Sequence, residues 1–588
     1  MKAPLTAQLL LLAVEPGQPV RAGQLLAVLE AMKMERELLA PQDGVVDEIH
    51  AVVGETLREG ESLLRLRPAA SATAAPATPA APLPESAPSA PSAAERADLA
   101  AWRARQALTL DAARPEAMAR RHALGLRSAR ENVEDLCDPG SFREYGALAY
   151  AAQRARRSLE ELRAQTPADG IVCGIGRIDG REAVVLAYDA TVLAGTQGLR
   201  NHQKIDRMLA IALAGKLPVL LFAEGGGGRP GDTDMPIVAG LHVPSFASLA
   251  RLAGQVPLVG IAAGRCFAGN AALLACCDLI IATADSNIGM GGPAMIEGGG
   301  LGRFAPEQIG PAALQARIGG IDLLVDDEAA AVRAARHYLG LLRGRDPGWR
   351  CADQAPLRAA IPENRVRSYD VRPLVETLFD SGSLLELQAG YGASVLAFLA
   401  RLEGRPVALL ASNCAVLGGA IDAAAADKAA RLLRRSEALG LPLVSLIDTP
   451  GFMVGPDAEA QGQVRASGQL FLAAAHLSLP RVSVVLRRAY GLGAMALAGG
   501  SLHAPKASLA WPSGEFGAMG LEGAVRLGYR KELAALPEGA QRQALFEQLL
   551  AAQVDNGRAL PMAEMLEIDA VIDPADTRAW LVQALAGP

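Results

Sequence analysis

Two kinds of group in this 588-residue chain are equipped for chemistry. The first is backbone. A small-residue turn that opens a helix leaves N–H groups free and pointing outward. Two such groups at ~2.8–3.0 Å from a carbonyl oxygen form a hole for a developing enolate oxygen. Turns of this kind occur at Gly264-Arg265-Cys266-Phe267-Ala268-Gly269-Asn270 and at Ala489-Tyr490-Gly491-Leu492-Gly493-Ala494, each running into an Ala- and Leu-rich stretch. The candidate donors are the amides of Ala268 and Gly269, and of Leu492 and Gly493. The second group is a single amine. Lys33 sits between Met32 and Met34, with Glu30 and Glu35 outside them. It falls between two copies of one pattern, where a hairpin tip would hold it away from packed structure.

Other chemistries find no footing. The run EGGGGRPGD from Glu224 to Asp232 lacks the Gly-Lys-Ser/Thr ending of a phosphate loop, which argues against nucleotide hydrolysis there. No His-Glu-x-x-His, Gly-x-Ser-x-Gly or paired metal-ligand spacing occurs, and the seven histidines are scattered, so no metal is expected.

The elements that must position these groups show as two internal repeats. Residues 1–67 alternate short apolar runs with glycine turns, the mark of a small β domain. Within it Gly17-Gln18-Pro19-Val20-Arg21-Ala22-Gly23 is answered 37 positions later by Gly54-Glu55-Thr56-Leu57-Arg58-Glu59-Gly60. Two such half-sheets predict a flattened barrel with pseudo-twofold symmetry. Residues 68–94 are almost entirely Ala, Pro, Ser and Thr, a composition that buries too little to fold. As an extended tether of about 25 residues at ~3.1 Å each, it would reach ~75 Å.

From 95 onward the pattern is α/β, and it is duplicated. Leu136-x-Asp138-x-Gly140-Ser141-Phe142-x-Glu144 matches Leu378-x-Asp380-x-Gly382-Ser383-Leu384-x-Glu386. Gly180-Arg181 matches Gly404-Arg405, and Pro218-Val219-Leu220-Leu221-Phe222 matches Pro442-Leu443-Val444-Ser445-Leu446, both at an offset of 224. Two homologous halves are therefore expected, 95–345 and 346–588, each of stacked strand–turn–helix units.

The charge is mildly acidic, 63 acidic against 57 basic residues, with no basic block to suit nucleic acid. Seven cysteines form no Cys-x-x-Cys pair, which suits a reducing compartment. No stretch approaches the ~20 uninterrupted apolar residues of a membrane helix. A cytoplasmic protein without a membrane partner is the expectation.

With these residues in view, Glu30-Ala31-Met32-Lys33-Met34-Glu35 resembles the biotinyl domain signature, whose lysine is biotinylated and whose methionines the biotin protein ligase reads. Residues 95–588 resemble the carboxyltransferase component of biotin-dependent acyl-CoA carboxylases. The matching stretches include LCDPGSF at 136–142, DGIVCGIGRIDGR at 169–181, PVLLFAEGGGGR at 218–229, DTPGFMVG at 448–455, RRAYGLGAM at 487–495 and AWPSGEFGAMG at 510–520. The resemblance implies two tandem crotonase-like (ββα superhelix) domains behind a small all-β biotinyl domain. It implies covalent biotin on Lys33 as cofactor, and transfer of CO2 from carboxybiotin to the α-carbon of an acyl-CoA through a thioester enolate. Ala268 and Gly269 would then hold the enolate oxygen and Leu492 and Gly493 the biotin carbonyl, with Tyr490 and Gly491 beside the cofactor. Gly226, Gly227, Arg229, Gly292 and Met495 would line the substrate cleft. A separate ATP-dependent biotin carboxylase subunit and a homo-oligomer built on dimers, up to a hexamer, complete the implied assembly. Glu224 and its four glycines depart from the family's usual Asp-Ser-Gly-Gly-Ala. The competing functions are a biotin-dependent acyl-CoA decarboxylase and a biotin-carrying scaffold without chemistry.

Overall fold

The computed structural model describes residues 1–68, 96–229, 231–234 and 240–586. The chain divides into two compact units, Met1–Ala94 and Glu95–Pro588. The tether expected at 68–94 lies outside the described residues apart from Pro68, which ends a strand.

The first unit is built from two small sheets. Four strands run in the order Met34–Leu39, Leu25–Ala31, Ala7–Leu12, Thr56–Leu57, and three in the order Pro19–Val20, Gly44–Ile49, Leu64–Pro68. Leu9, Leu26, Leu29, Val46, Leu63 and Leu64 meet in its core, each fully buried. The repeat has a physical cause. Gly17, Gly23, Gly54 and Gly60 all carry positive φ, a conformation that costs glycine least. The residue after each one, Gln18, Gln24, Glu55 and Glu61, reaches back to accept the amide three positions earlier, at 2.7–3.1 Å. Four copies of one turn thus close the barrel.

In the second unit, each half carries a strongly similar sheet. The first runs Leu323–Val325, Leu279–Thr283, Leu258–Ala262, Val219–Phe222, Arg181–Tyr188, Ile171–Ile178, Arg143–Glu144. The second runs Leu385–Leu387, Val395–Leu402, Arg405–Ser412, Leu443–Thr449, Arg481–Tyr490, Ala507–Ala510, Ala570–Val571. In both, an antiparallel hairpin leads into parallel strands. The repeated Leu-x-Asp-x-Gly-Ser motif holds that hairpin. Asp138 accepts the amides of Asp179 and Gly180 at its turn, and Asp380 those of Glu403 and Gly404. Ser141 and Ser383 each accept the next strand amide, from Arg177 and Arg401, at 3.0 Å. The motif's glutamates, Glu144 and Glu386, are gripped by Arg130 and Arg372.

Three hydrophobic cores stack through this unit. One belongs to the first half, around Val184, Leu221 and Leu258, and one to the second, around Leu396, Leu409 and Trp511. Between them a third is shared, joining Val185, Leu220 and Tyr338 to Leu399, Leu410 and Leu433. No helix among the described residues is long and apolar enough to cross a membrane.

Candidate functional site

Lys33 occupies a two-residue hairpin turn. Ala31 pairs with Met34 across the ladder, leaving Met32 (φ 53°) and Lys33 (φ 65°) as the turn, both left-handed. This is the φ pattern of the tight turns that match the twist of paired strands, normally filled by Asn-Gly. Methionine and lysine pay strain to be there. Met32 is 96% exposed and Met34 73% exposed, so the tip presents both methionines and the amine to solvent. The other lysine of residues 1–66, Lys2, is bridged to Ser62 at the barrel's edge.

In the second unit the two turns can be superposed by strand register. Arg265–Phe267 pairs in parallel with Asn287–Gly289, and Arg488–Tyr490 with Glu515–Gly517. Ala268 therefore answers Gly491, and both are left-handed, at φ 51° and 55°. Gly269 answers Leu492, and Asn270 answers Gly493. The expected donor pairs were thus one residue out of step with each other.

Hydrogen bonding sorts the donors further. Ala268 gives its amide to the Gly289 carbonyl at 3.0 Å and has none to spare for a substrate. Gly269 and Leu492 lie in the first turns of the helices Gly269–Ala275 and Gly491–Leu497, where no intrahelical acceptor exists.

The missing second donor comes from the loop facing each helix. In the first half, Gly225 donates to Arg265, Gly226 to Ala194 and Gly227 to the Asn270 side chain. Gln197 bridges the amide of Arg229 and the carbonyl of Gly227 and leaves the Gly228 amide without a partner among the described residues. In the second half Ile421 does the same to Met453 and Gly451 and leaves Phe452. Gly228 and Phe452 stand at the offset of 224. They also stand next to the helix starts. A Cβ on Gly227 would lie 3.3 Å from the Gly269 nitrogen, and one on Gly493 would lie 3.0 Å from the Phe452 nitrogen. Neither residue was singled out from the sequence, although the 224 offset, carried through the glycine loops, pairs them.

Acid–arginine pairs secure both loops. Glu224, 9% exposed, is held by both terminal nitrogens of Arg121 at 3.1 and 2.7 Å. Burial pushes its carboxyl upward, against the pull of that arginine. Its counterpart Asp448 is fully buried and takes Arg487 at 2.9 and 3.1 Å and Arg488 at 2.8 Å.

Around the first loop lies a cavity of about 800 Å³. Gly226 and Gly292 line it, with Leu124, Leu126, Phe267 and Met295 on its apolar side and Arg120 and Arg265 among its polar residues. Gly227 packs over Ala268 instead. Arg229 departs from its expected role: its guanidinium is buried against Asp169 at 2.6 Å and Asp232 at 3.3 Å, so its charge is spent on the fold. Tyr490 is likewise committed. Its hydroxyl donates to Glu515, which Arg365 clamps at 2.6 and 2.9 Å, and burial followed by that carboxylate pushes the phenol well upward. It is a rigid wall. Met495 stands one turn along the second helix, 37% exposed.

Residues 120–587 match the carboxyl transferase domain family, and residues 1–66 match the family described as biotin-requiring enzyme. Among curated relatives, the methylmalonyl-CoA carboxyltransferase 12S subunit of Propionibacterium freudenreichii is 33% identical over 476 residues, 79% of this chain and 89% of the relative. The biotin-dependent long chain acyl-coenzyme A carboxylase beta4 subunit of Mycobacterium tuberculosis is 31% identical over 510 residues, 83% and 93% of the two chains. Among solved structures, a single-chain, multi-domain long-chain acyl-CoA carboxylase superposes with a TM-score of 0.80 at 49% identity. It covers 99% of this chain, which spans 56% of that longer polypeptide. A transcarboxylase 12S hexamer with methylmalonyl-CoA bound gives 0.75 at 30% identity, over 84% of this chain and 95% of its own.

Proposed function

Because this chain belongs to the carboxyl transferase domain family and opens with a biotin-requiring domain, we propose that Lys33 carries its biotin and that two paired-amide holes perform its transfer step. The protein is a biotin-dependent carboxyltransferase of the acyl-CoA carboxylase class, with tandem crotonase-like halves behind a small β biotinyl domain. Its cofactor is biotin attached covalently to a lysine.

The residues fit that cofactor. An amide-linked group needs an amine that is exposed and unencumbered, and Lys33, in its two-residue turn, has no hydrogen-bond partner among the described residues. When bound, biotin supplies the carboxyl group to be transferred. The protein's part is electrostatic. Gly269 with Gly228 would receive the thioester oxygen as it becomes an enolate, and Leu492 with Phe452, backed by the close approach of Gly493, would receive the biotin carbonyl. Preorganised amides of this kind stabilise charge where it develops without reorganising. Gly491 supplies the left-handed corner that aims the second pair.

A long acyl chain is the substrate we assign. The apolar side of the first cavity supports this, as does the likeness to two long-chain carboxylases. Arg120 and Arg265, largely exposed at the cavity, pair with Glu116 at 3.9 Å and Glu307 at 3.0 Å, and would exchange these surface partners for the phosphates of coenzyme A. We assign ATP-dependent charging to a biotin carboxylase subunit, loading of Lys33 to biotin protein ligase, and the working form to a homo-oligomer of dimers or a hexamer. The likeness to a subunit of a biotin-dependent long-chain acyl-CoA carboxylase, the beta4 subunit, supports the first point.

The exposed Lys33 tip carries the proposal, and one substitution tests it. Lys33→Arg should remove the streptavidin signal and all acyl-CoA carboxylation, whereas Lys2→Arg should keep the signal. A biotin signal that survives Lys33→Arg overturns the assignment. An acyl-CoA panel from two to sixteen carbons, assayed with the charging subunit, tests the chain length.

A further inference from the structure

The same two backbone groups are tied together in both halves, but by different side chains. In the first half, Asn270 is fully buried and every polar atom of its carboxamide is used. Its Oδ1 accepts the Gly227 amide at 3.0 Å, and its Nδ2 donates to the carbonyls of Gly195 at 3.3 Å and Glu224 at 3.0 Å. The equivalent of Asn270 in the second half is Gly493, which has no side chain to offer. There the Thr449 hydroxyl accepts the Gly451 amide at 3.1 Å and donates to the Gly419 carbonyl at 2.8 Å, its approach to the Gly451 carbonyl being longer at 3.3 Å.

Gly195 and Gly419 are equivalent at the offset of 224, and so are Gly227 and Gly451. The position answering Thr449 is Gly225, where a Cβ would stand 2.0 Å from the Gly195 carbonyl. A threonine clamp is therefore sterically closed to the first half. A Cβ at Gly493 would likewise stand 2.7 Å from Gly451, which closes the second half to an asparagine clamp.

We propose that Asn270 and Thr449 are positioning residues of the transfer reaction, each fixing the loop amide that precedes its half's free donor, Gly228 or Phe452. The inference rests on the reading of those two amides as donors. Each clamp satisfies the loop N–H next to the free donor, at Gly227 or Gly451. Each also sets the distance between the loop and the turn beneath it. The Asn270 clamp does one thing more: it grows from the residue after Gly269, so it fixes both donors of the first hole to each other.

The test uses the biotinylated full chain with its charging subunit and the best acyl-CoA of the chain-length panel. Thr449→Val keeps the shape and deletes the hydroxyl, whereas Thr449→Ser keeps the hydroxyl. The expected result is a kcat lower by at least about tenfold in Thr449→Val and in Asn270→Ala, on the scale of the ~100-fold that an ångström of misplacement can cost. KM should stay within about threefold, and Thr449→Ser should recover most of the rate. Ser436→Ala serves as the stability control, since Ser436 is equally buried and donates to the Leu441 carbonyl, just before the start of the strand Leu443–Thr449 and at its opposite end from the second hole. At a similar drop in melting temperature it should keep kcat. A Thr449→Val enzyme with full kcat, or a Ser436→Ala enzyme that loses as much, overturns the proposal. Gly228→Pro, which deletes a donor, separates the two levels. If it abolishes transfer while the clamp variants do not, the clamps are wrong and the hole is right. If it too leaves transfer intact, the donor assignment itself has failed.

Discussion

The two halves leave the same loop amide unbonded among the described residues, Gly228 in one and Phe452 in the other, and support that loop differently. In the first half a single arginine, 103 positions upstream of Glu224, neutralises the loop acid, and an asparagine on the helix start ties the loop down. The second half neutralises Asp448 with two arginines from the adjacent strand and ties its loop with a threonine. Even the buried lysines at the offset of 224 differ. Lys204 donates to two carbonyls, of Ala168 at 2.8 Å and Ile171 at 2.5 Å, whereas Lys428, among the described residues, donates to the one carbonyl of Gln388 at 3.2 Å. The two halves thus share N–H positions and differ in the side chains behind them.

The sharpest break of this comparison is electrostatic. Arg121→Met should cost about 3–5 kcal/mol, the loss typical of a buried charge left without its partner. Arg488→Met should cost markedly less, because Arg487 remains on Asp448. Denaturant unfolding of the two variants measures the difference, and equal losses would erase the asymmetry.

Next come the donors. Gly228→Pro and Leu492→Pro should each lower kcat by about a hundred- to a thousandfold, the loss seen when one oxyanion donor is removed. Gly228→Ala should fall far less, since a Cβ there meets open space. Substituting Gly493 is a poorer probe than the exposed Leu492, because any side chain collides with Gly451. A large effect at one loop and none at the other would show that only one half is a hole.

The lysines give a pH signature. Burial pushes Lys428 down from 10.5 to about 8. A lysine that binds its proton more weakly when folded destabilises the fold below that value. The penalty lifts as pH rises from about 8 toward 10.5. At ~1.4 kcal/mol per tenfold in affinity, it amounts to roughly 3 kcal/mol at most. Stability should therefore rise between pH 8 and 10 in the parent, and that rise should shrink in Lys428→Met. The smallest expected effect is at Met495, where Met495→Ala should shift the preference between long and short acyl-CoAs within about tenfold, the low end for one methylene in an apolar pocket.

Much of this organisation was legible in the sequence because it is periodic. The glycine turns at 17, 23, 54 and 60, the motif at Asp138 and Asp380, and the offset of 224 each reflect a backbone conformation or a capped turn made twice. What could not be read is commitment. Whether Ala268 has a free amide depends on Gly289, twenty-one positions on, and whether Arg229 has a free charge depends on Asp169, sixty positions back. The expected donor pairs slipped by one residue because strand pairing, which sets the equivalence, falls beyond the matched motifs. Gly228 and Phe452 were missed because nothing in their residue types marks them. Their amides are free only through what Gln197 and Ile421 do to their neighbours.

The core shared by Tyr338, Leu399, Leu410 and Leu433 has a consequence for how this chain can be taken apart. Fragments severed at 345 would each carry a bare apolar face where this core is shared. They should behave as the estranged partners of an obligate heterodimer, insoluble alone and active only when expressed together. A contact that two chains would make between them is here made within one, so the two halves should melt in a single calorimetric transition.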